Sequence, residues 1–471
     1  MNPSLASLVF VIGVAGLFYL NRDNSVRTSR ALWIPVIWFW ILGSRNVSAW
    51  LGLAPTAGTA TANVMMEGSP LDAFILFVLI ASGFAVLVTR SQRCRPLLMT
   101  NWPIVLYFAY CLVSVVWSDY PDVSSKRWIK ATGDVIMALV VVTDAQPIAA
   151  LRRLFSRVGF VLIPASTLVI KYYPYLGRGY DEWTGQQFNM GVATDKNILG
   201  VTTYVLTLGA FWQVLRFWRD PKVPNRRRQF VAEGTLVGFG IWNLFTANSA
   251  TSESCLMLAA FIMLLSGSRR FRGRAATVNA LVLTVIVVGG LIKVTGTDEA
   301  VFHALGRNTN LTGRTDIWAL LIGMAPNPLV GAGFESFWLG PRMQRVWDAF
   351  PNLYVTEAHN GYIELYLKLG AVGVTLAISI LIHGYRRCVA AFRIDPDSSS
   401  LMLAYVLASA MYSYTEAGFR MLDDAWSFLV LAIMAASRIS RMGQLNRPLK
   451  GELFKIGLPT TAVRTASVLV R

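Results

Sequence analysis

The sequence predicts an all-α, polytopic integral membrane protein with about 12–13 transmembrane helices and a large extracytoplasmic loop containing short helices. Three observations carry that expectation. The chain of 471 residues is 54% hydrophobic and only 15% charged, with a mean hydropathy of +0.49. Its apolar runs repeatedly reach the roughly 20 residues that a helix needs to cross a bilayer. They are long and continuous rather than short and alternating, and hydrocarbon offers backbone amides no partners, so helices are favoured over a barrel. The expected span cores are 3–20, 31–52, 70–89, 102–118, 128–143, 154–171, 197–217, 230–247, 251–266, 278–293, 362–383, 401–419 and 425–438.

Basic residues orient these spans, because Lys and Arg collect in short cytoplasmic loops. Segments 21–30, 90–96, 152–157, 216–228, 269–274 and 386–393, with the tail from Arg438, hold about 29 of the 43 Lys and Arg, and they are every second loop. The N-terminus is therefore expected outside and the C-terminus in the cytoplasm. Three regions follow: N-terminal transmembrane helices over 1–171, a membrane core over 172–438, and a basic cytoplasmic tail over 439–471. A net charge of +17 resides mostly in these membrane-flanking loops, where it sets topology and meets anionic headgroups, so nucleic acid is not an expected partner. Cys94, Cys111, Cys255 and Cys388 fall in inner loops or spans and suggest neither disulfides nor a metal framework. The first segment lacks the basic flank of a cleavable signal and reads as the first span.

Only two outward segments are long enough to build a site, 172–196 and 294–360. The first, from Tyr172 to Lys196, mixes aromatics, Gly and amides. Such a mixture suits the apolar face and hydroxyls of a sugar, and equally suits an interfacial aromatic belt. Lys196 opens the seventh span in D-K-N, where it can face an anion or simply snorkel at a helix end.

The second segment is expected to hold helices near Arg314–Met324 and Phe334–Phe350, separated by A-P-N-P-L-V-G-A-G. Asp316 suits a helix start, whereas Arg314 gains nothing from the helix dipole there. An anionic ligand would explain it, since guanidinium matches phosphate oxygens, and so would pairing with Asp316 or Glu335. His359 is flanked by Glu357, Asn360 and Glu364 where the chain re-enters the membrane. A histidine beside a carboxylate can act as general base, its pKa near neutrality and its tautomer fixed. One histidine with scattered carboxylates is a poor zinc set. Glu364 and Lys368 read as a structural i,i+4 pair, N-S-A-T-S at 248–252 as a cap, and Arg420 as a cationic-site member or an interface anchor. Arg45 and Asp134 lie inside nominal spans and are candidates for an internal cleft.

The order and spacing of T-G-R-T-D-I-W at 312–318, N-P-L-V-G-A-G-F at 327–334, A-H-N-G-Y-I-E at 358–364 with L-K-L-G, D-K-N-I-L-G at 195–200 and N-S-A-T-S resemble the O-antigen ligase and Wzy-type polysaccharide polymerase superfamily, particularly its exopolysaccharide-polymerase branch. The resemblance implies an inverting glycosyltransferase of the bacterial inner membrane that polymerises an exported polysaccharide. It would move glycan from undecaprenyl pyrophosphate to an acceptor sugar hydroxyl at the outer face, without cofactor or metal. It further implies that His359 is the base and Arg314 faces the pyrophosphate. Lys196, Asn197, Arg178, Arg307, Glu357, Asn360 and Arg420 would bind substrate, with the growing polysaccharide, the bilayer and other export components as partners. Asp195 stands where many relatives carry histidine. Two other readings remain: a ligase that transfers glycan to a lipid core, and a transporter of polysaccharide or lipid-linked solute.

Overall fold

The structure, a computed structural model, describes residues 2–23, 26–53, 68–180, 185–268, 274–276, 278–284, 311–350 and 355–445. Helix starts follow from side-chain caps and prolines. Asn2 caps α1 (Pro3–Leu20), and a short 3₁₀ turn at Arg30–Leu32 leads into α2 (Trp33–Leu42) and α3 (Val47–Trp50). Ser69 caps α4 (Pro70–Thr89), after which α5 (Ser91–Thr100) and α6 (Trp102–Val113) meet at a sharp bend of 86°. There follow α7 (Pro121–Val142), α8 (Pro147–Tyr172) and α9 (Pro174–Gly177). A small antiparallel hairpin, β1 (Arg178–Tyr180) with β2 (Gln187–Asn189), places Arg178 opposite Asn189. The second half comprises α10 (Lys196–Arg219), α11 (Arg226–Ala247), α12 (Ala250–Ser266), α13 (Leu311–Gly323), α14 (Gly340–Ala349), α15 (Gly361–Phe392), α16 (Pro396–Thr415) and α17 (Asp424–Leu445).

The chain is a polytopic, mostly helical membrane protein, and its described residues hold fewer full spans than expected. Among the described residues, seven helices are long and apolar enough to cross a membrane, or eight if the bent α5–α6 pair counts as one. The physical reasons are local. The run 31–52 breaks after ten helical residues at Gly43, and α12 is short. Lys126, Arg127, Lys130 and Asp134 interrupt α7, and α16 opens on Pro-Asp-Ser-Ser-Ser. Most of 278–293, like the tail beyond Leu445, lies outside the described residues. The last helix continues seven residues past Arg438, so the tail begins as helix.

One core runs through the bundle. Phe155 of α8 stacks on Tyr405 of α16 and Phe428 of α17, with ring centres 5.8 and 5.6 Å apart, and Phe39 of α2 joins Phe428 at 4.7 Å. Both Arg45 and Asp134 are absorbed locally. Arg45 donates to the Leu176 carbonyl and lies over Trp50. Asp134 accepts from Trp38 Nε1 and from the Leu422 amide, both at 3.2 Å. They do not meet each other across a cleft.

The buried helix α10 gives the bundle two chemically different ends about 36 Å apart. At its C-terminal end Arg219 pairs with Asp397 at 3.2 Å, while Arg22, Arg152, Arg153, Arg157 and Arg216 line one cavity of about 260 Å³. Three basic segments of the sequence, 21–30, 152–157 and 216–228, therefore share that end. At its N-terminal end Asp195 caps the helix, accepting from Asn197 and Ile198 amides at 2.7 and 2.9 Å. All the polar motifs of the second half collect there.

An interlock explains two of those motifs. Helix α15 is broken at Gly370, whose φ of 64° and ψ of −165° lie outside helical space, and segment 327–332 lies across the break. The Ala332 amide donates to Leu367 O at 3.0 Å, while Ala371 and Val372 amides donate to Pro328 O and Leu329 O at 2.9 and 3.1 Å. Backbone groups freed by the break are thus satisfied by the crossing segment. A Cβ on Gly370 would overlap the Leu329 carbonyl, and one on Gly331 the Leu369 amide. Gly370→Ala should therefore cost about 2–4 kcal/mol, combining positive φ with backbone overlap. Thermal unfolding of the purified variant in detergent measures this, and an unchanged transition would mean that the crossing does not hold the helix.

Candidate active site

The site is built where α15 begins. Asn360 caps that helix, accepting from Tyr362 and Ile363 amides at 3.0 and 3.1 Å, and its Nδ2 donates to Tyr414 O at 3.0 Å. The Gly361 amide donates to Glu416 O at 3.0 Å. These bonds clasp the start of α15 to the end of α16. His359, one residue before the cap, has φ of 46°. Left-handed backbone is costly for a non-glycine residue and is held only where its surroundings over-determine it. Glu335 and Leu422, both in the neighbouring loops, share the same strain, with φ of 54° and 58°.

His359 Nδ1 lies 3.0 Å from Glu357 Oε1 and 3.3 Å from Glu416 Oε2. Each carboxylate also holds an arginine. Arg420 pairs with Glu357, and Arg314 Nη2 lies 3.5 Å from Glu416 Oε1 while its Nη1 donates to Thr415 O at 2.6 Å. Asn197 Nδ2 donates to Glu416 Oε2 at 3.3 Å. Four segments distant in sequence thus converge on two glutamates. Their backbones are tied as well: Trp318 Nε1 of α13 donates to Ala358 O at 2.7 Å, and Thr251 and Thr415 hydroxyls lie 2.9 Å apart. A Cβ on Gly200 would press on Ser249 and Ser252, so D-K-N-I-L-G and N-S-A-T-S fit against each other.

Electrostatics follow from this packing. Burial by itself would depress the histidine, but its bonds to Glu357 and Glu416 outweigh that and raise His359 to about 9. Neutrality was the expectation from sequence, and the second carboxylate is why it fails. Burial would raise Glu357, yet Arg420 and His359 hold it at about 2. With Nδ1 turned on the carboxylates, Nε2 is the nitrogen left to exchange a proton with a substrate. Glu357, His359 and Glu416 also place three donor atoms within 4.8 Å of one another. Both carboxylates already carry guanidinium partners, so a metal ion there would have to displace Arg420 or Arg314.

Other expected site residues are placed less centrally. Lys196 is exposed at the first turn of α10. Arg178 turns to the end of α8, donating from Nε to Ile170 O at 3.0 Å. Arg307 lies outside the described residues. Glu364 and Lys368 form a buried strut: Lys368 Nζ is 2.8 Å from Glu364 and 2.7 Å from Glu335, and Glu364 accepts from Trp338 Nε1 and the Ala358 amide. Burial would raise Glu335, but Lys368 and Arg127 lower it overall. Glu416 is the residue that sequence reading missed. Its one signal was a carboxylate four residues before Arg420, inside the expected 401–419 span.

Comparison with known proteins fits this convergence. Residues 235–378 match the family model described as O-antigen ligase. This stretch is an O-antigen ligase family domain. The chain is also 26% identical over 315 residues to the exopolysaccharide production protein ExoQ of Rhizobium meliloti (strain 1021), covering 63% of this chain and 68% of that protein. The match to the O-antigen ligase family and the likeness to ExoQ implicate the chain in polysaccharide polymerisation or ligation.

With only three histidines in the chain, ¹⁵N-histidine NMR can follow this one, assigned by loss of its signal in His359→Asn. His359 should titrate near 9, and Glu357→Gln should lower that value by at least about one unit, as expected when a close carboxylate is neutralised. The sign for stability is set by the same shift. The imidazolium's contribution is fully present below the unfolded value of 6.5 and is lost as pH rises through about 9. A titration near 6.5 would disprove the two-carboxylate clasp.

Proposed function

We propose that the protein is an inverting, lipid-diphosphate-dependent polysaccharide polymerase, acting at the outer face of the bacterial inner membrane with its N-terminus outside and its C-terminus in the cytoplasm. The observation that supports this reading most is His359, held between Glu357 and Glu416 beside Arg314 and Arg420. In the proposed reaction an acceptor sugar hydroxyl attacks the anomeric carbon of the donor glycan. The bond from that carbon to the diphosphate oxygen of undecaprenyl pyrophosphate breaks, a new glycosidic bond forms, and the hydroxyl proton passes to His359 Nε2. One displacement inverts the anomeric centre, and a diphosphate leaving group needs cations rather than a protein nucleophile.

Each side chain has a stated task. Glu357 and Glu416 orient the imidazole and make it basic. Asn197, Arg314 and Asn360 hold Glu416 and the start of α15 in place, and Arg420 supplies positive charge next to Glu357. Lys196, exposed at the same end, is a further cation for the donor. Basic segments gathered at the far end of α10 support the orientation, since such clusters mark the cytoplasmic side.

Purified protein in liposomes, supplied with lipid-linked oligosaccharide repeats and chelator but no nucleotide sugar, should yield a ladder of lengthened glycans. His359→Ala should reduce the rate by about 10²–10⁴-fold, the usual worth of a general base. A product that appears only when a lipid-core acceptor is added would replace the polymerase reading with the ligase one. At neutral pH only about 1% of a group with pKa near 9 is deprotonated. The kcat/KM should therefore rise about tenfold per pH unit from 7 towards 9 and then level, and Glu357→Gln should move that limb to lower pH. A flat profile over this range would remove His359 from the base role.

A further inference from the structure

The cluster around His359 accounts for a proton but leaves the donor's diphosphate poorly served. Arg314 is engaged by Glu416 and the Thr415 carbonyl, and Arg178 by Ile170. On the other side of Arg420, however, lies a cavity of about 770 Å³ between the start of α4, the first turns of α7 and the loops around 335–343, 356 and 420. Its polar lining includes Lys126, Arg127, Lys130, Lys368 and Arg420 against one carboxylate, Glu335. That carboxylate is taken by Lys368, which Glu364 also holds. Arg127 donates to the Glu335 carbonyl at 2.6 Å. The balance of lining charge is positive, and Lys126 and Lys130, four residues apart, lie on one face of α7.

The apolar side of the cavity is equally specific in what it suits. Phe77 and Ile80 of α4 and Ile129 of α7 line it, and Phe77 and Ile129 are 59% and 44% exposed on the outer surface of the bundle. A ligand with a compact polyanionic head and a hydrocarbon tail would satisfy both walls, the tail leaving towards lipid past Phe77 and Ile129.

We propose that this cavity is the donor subsite: Lys126, Arg127 and Lys130, with Arg420, bind the diphosphate of a polyprenyl-diphosphate-linked glycan, and Phe77, Ile80 and Ile129 seat the first units of its chain. This rests on the glycosyl-transfer reading above. Arg420 then joins the two halves of the site, touching the cavity on one side and, through Glu357, the base on the other. When the anomeric carbon–oxygen bond breaks, its electron pair stays on the diphosphate, where these cations offset the new charge. Lys126, Arg127 and Lys130 are positioning residues for the donor and stand apart from proton transfer.

The test is binding of sugar-free polyprenyl diphosphate to the purified full-length chain in nanodiscs, followed by tryptophan fluorescence. Lys126→Ala/Lys130→Ala should weaken binding at least tenfold, and Lys126→Arg/Lys130→Arg should retain it. In the liposome assay the alanine pair should raise KM for the lipid-linked donor and leave the pH limb of His359 unmoved. Equal competition by phosphatidylglycerol vesicles would reveal an ordinary headgroup site and overturn the proposal. Unchanged affinity in the alanine pair, with loss on Arg314→Gln, would move the diphosphate to Arg314 and leave the polymerase reading standing. Failure of the wild-type chain to bind the probe at all would overturn both.

Discussion

Everything at the N-terminal end of α10 depends on compensating partly buried charge. Two glutamates, Glu357 and Glu416, are shared among one imidazole and two guanidiniums. Glu416 is buried while the other members are 20–39% exposed, so removing one leaves its partner uncompensated at a cost below the roughly 3–5 kcal/mol of a fully buried pair. No single stretch of chain supplies the set: Arg314 comes from α13, Glu357 and His359 from the loop before α15, Glu416 and Arg420 from the loop after α16. Satisfying the charges therefore requires those segments to meet. Protonated His359 makes the cluster net positive, so the resting site is prepared for an anion before one arrives.

That convergence needs a rigid floor, and the break at Gly370 provides it. The strut of Glu335, Lys368 and Glu364 lies directly between the break and the active loop. Glu364 accepts from the Ala358 amide, one residue from His359, and Lys368 sits two residues before the broken turn. Segment 327–332 closes the broken helix and carries the chain on to Glu335. Two motifs that look unrelated in sequence are one mechanical unit in space, and neither need touch substrate to matter for it.

Sequence made the helical character, the polar motifs of the second half and the pairing of His359 with Glu357 legible, because hydropathy and local spacing are short-range signals. Seven of the expected spans coincide with helices able to cross a bilayer. Counting failed where a run is apolar but interrupted: Gly43 stops α2, and the cations of α7 make its first half unlike a span. Glu416 escaped because its partner lies 57 residues away and no periodicity ties them. The same blindness applied to Lys126, Arg127 and Lys130, which straddle the start of the expected 128–143 span and belong to no motif; tertiary packing sets them beside Arg420. Asp195 shows the reverse. It stands where the resemblance led one to expect histidine, and its presence is accounted for locally, because its carboxylate caps α10.

The high pKa of His359 has a consequence for the order of events in the proposed reaction. A base near 9 is mostly occupied at neutral pH, which is inefficient for a step that begins with deprotonation. Only the neutral fraction can take up the hydroxyl proton, and it need do so only late in the step. A diphosphate leaves readily, so positive character builds on the sugar before the attacking hydroxyl has bonded fully, and the hydroxyl becomes acidic only as it does. The imidazolium fraction adds instead to the positive field that Arg314 and Arg420 present to the donor, and it must lose its own proton from Nε2 before it can serve as base. Donor binding and proton acceptance thus call on opposite protonation states of one side chain. Arg420 is the group through which they communicate: a diphosphate that draws it away from Glu357 strengthens the hold of Glu357 on the imidazolium, and departure of the diphosphate restores the first arrangement. Loss of the proton from Nε2 is then easiest after the leaving group has gone, returning the imidazole to the form that can accept a proton.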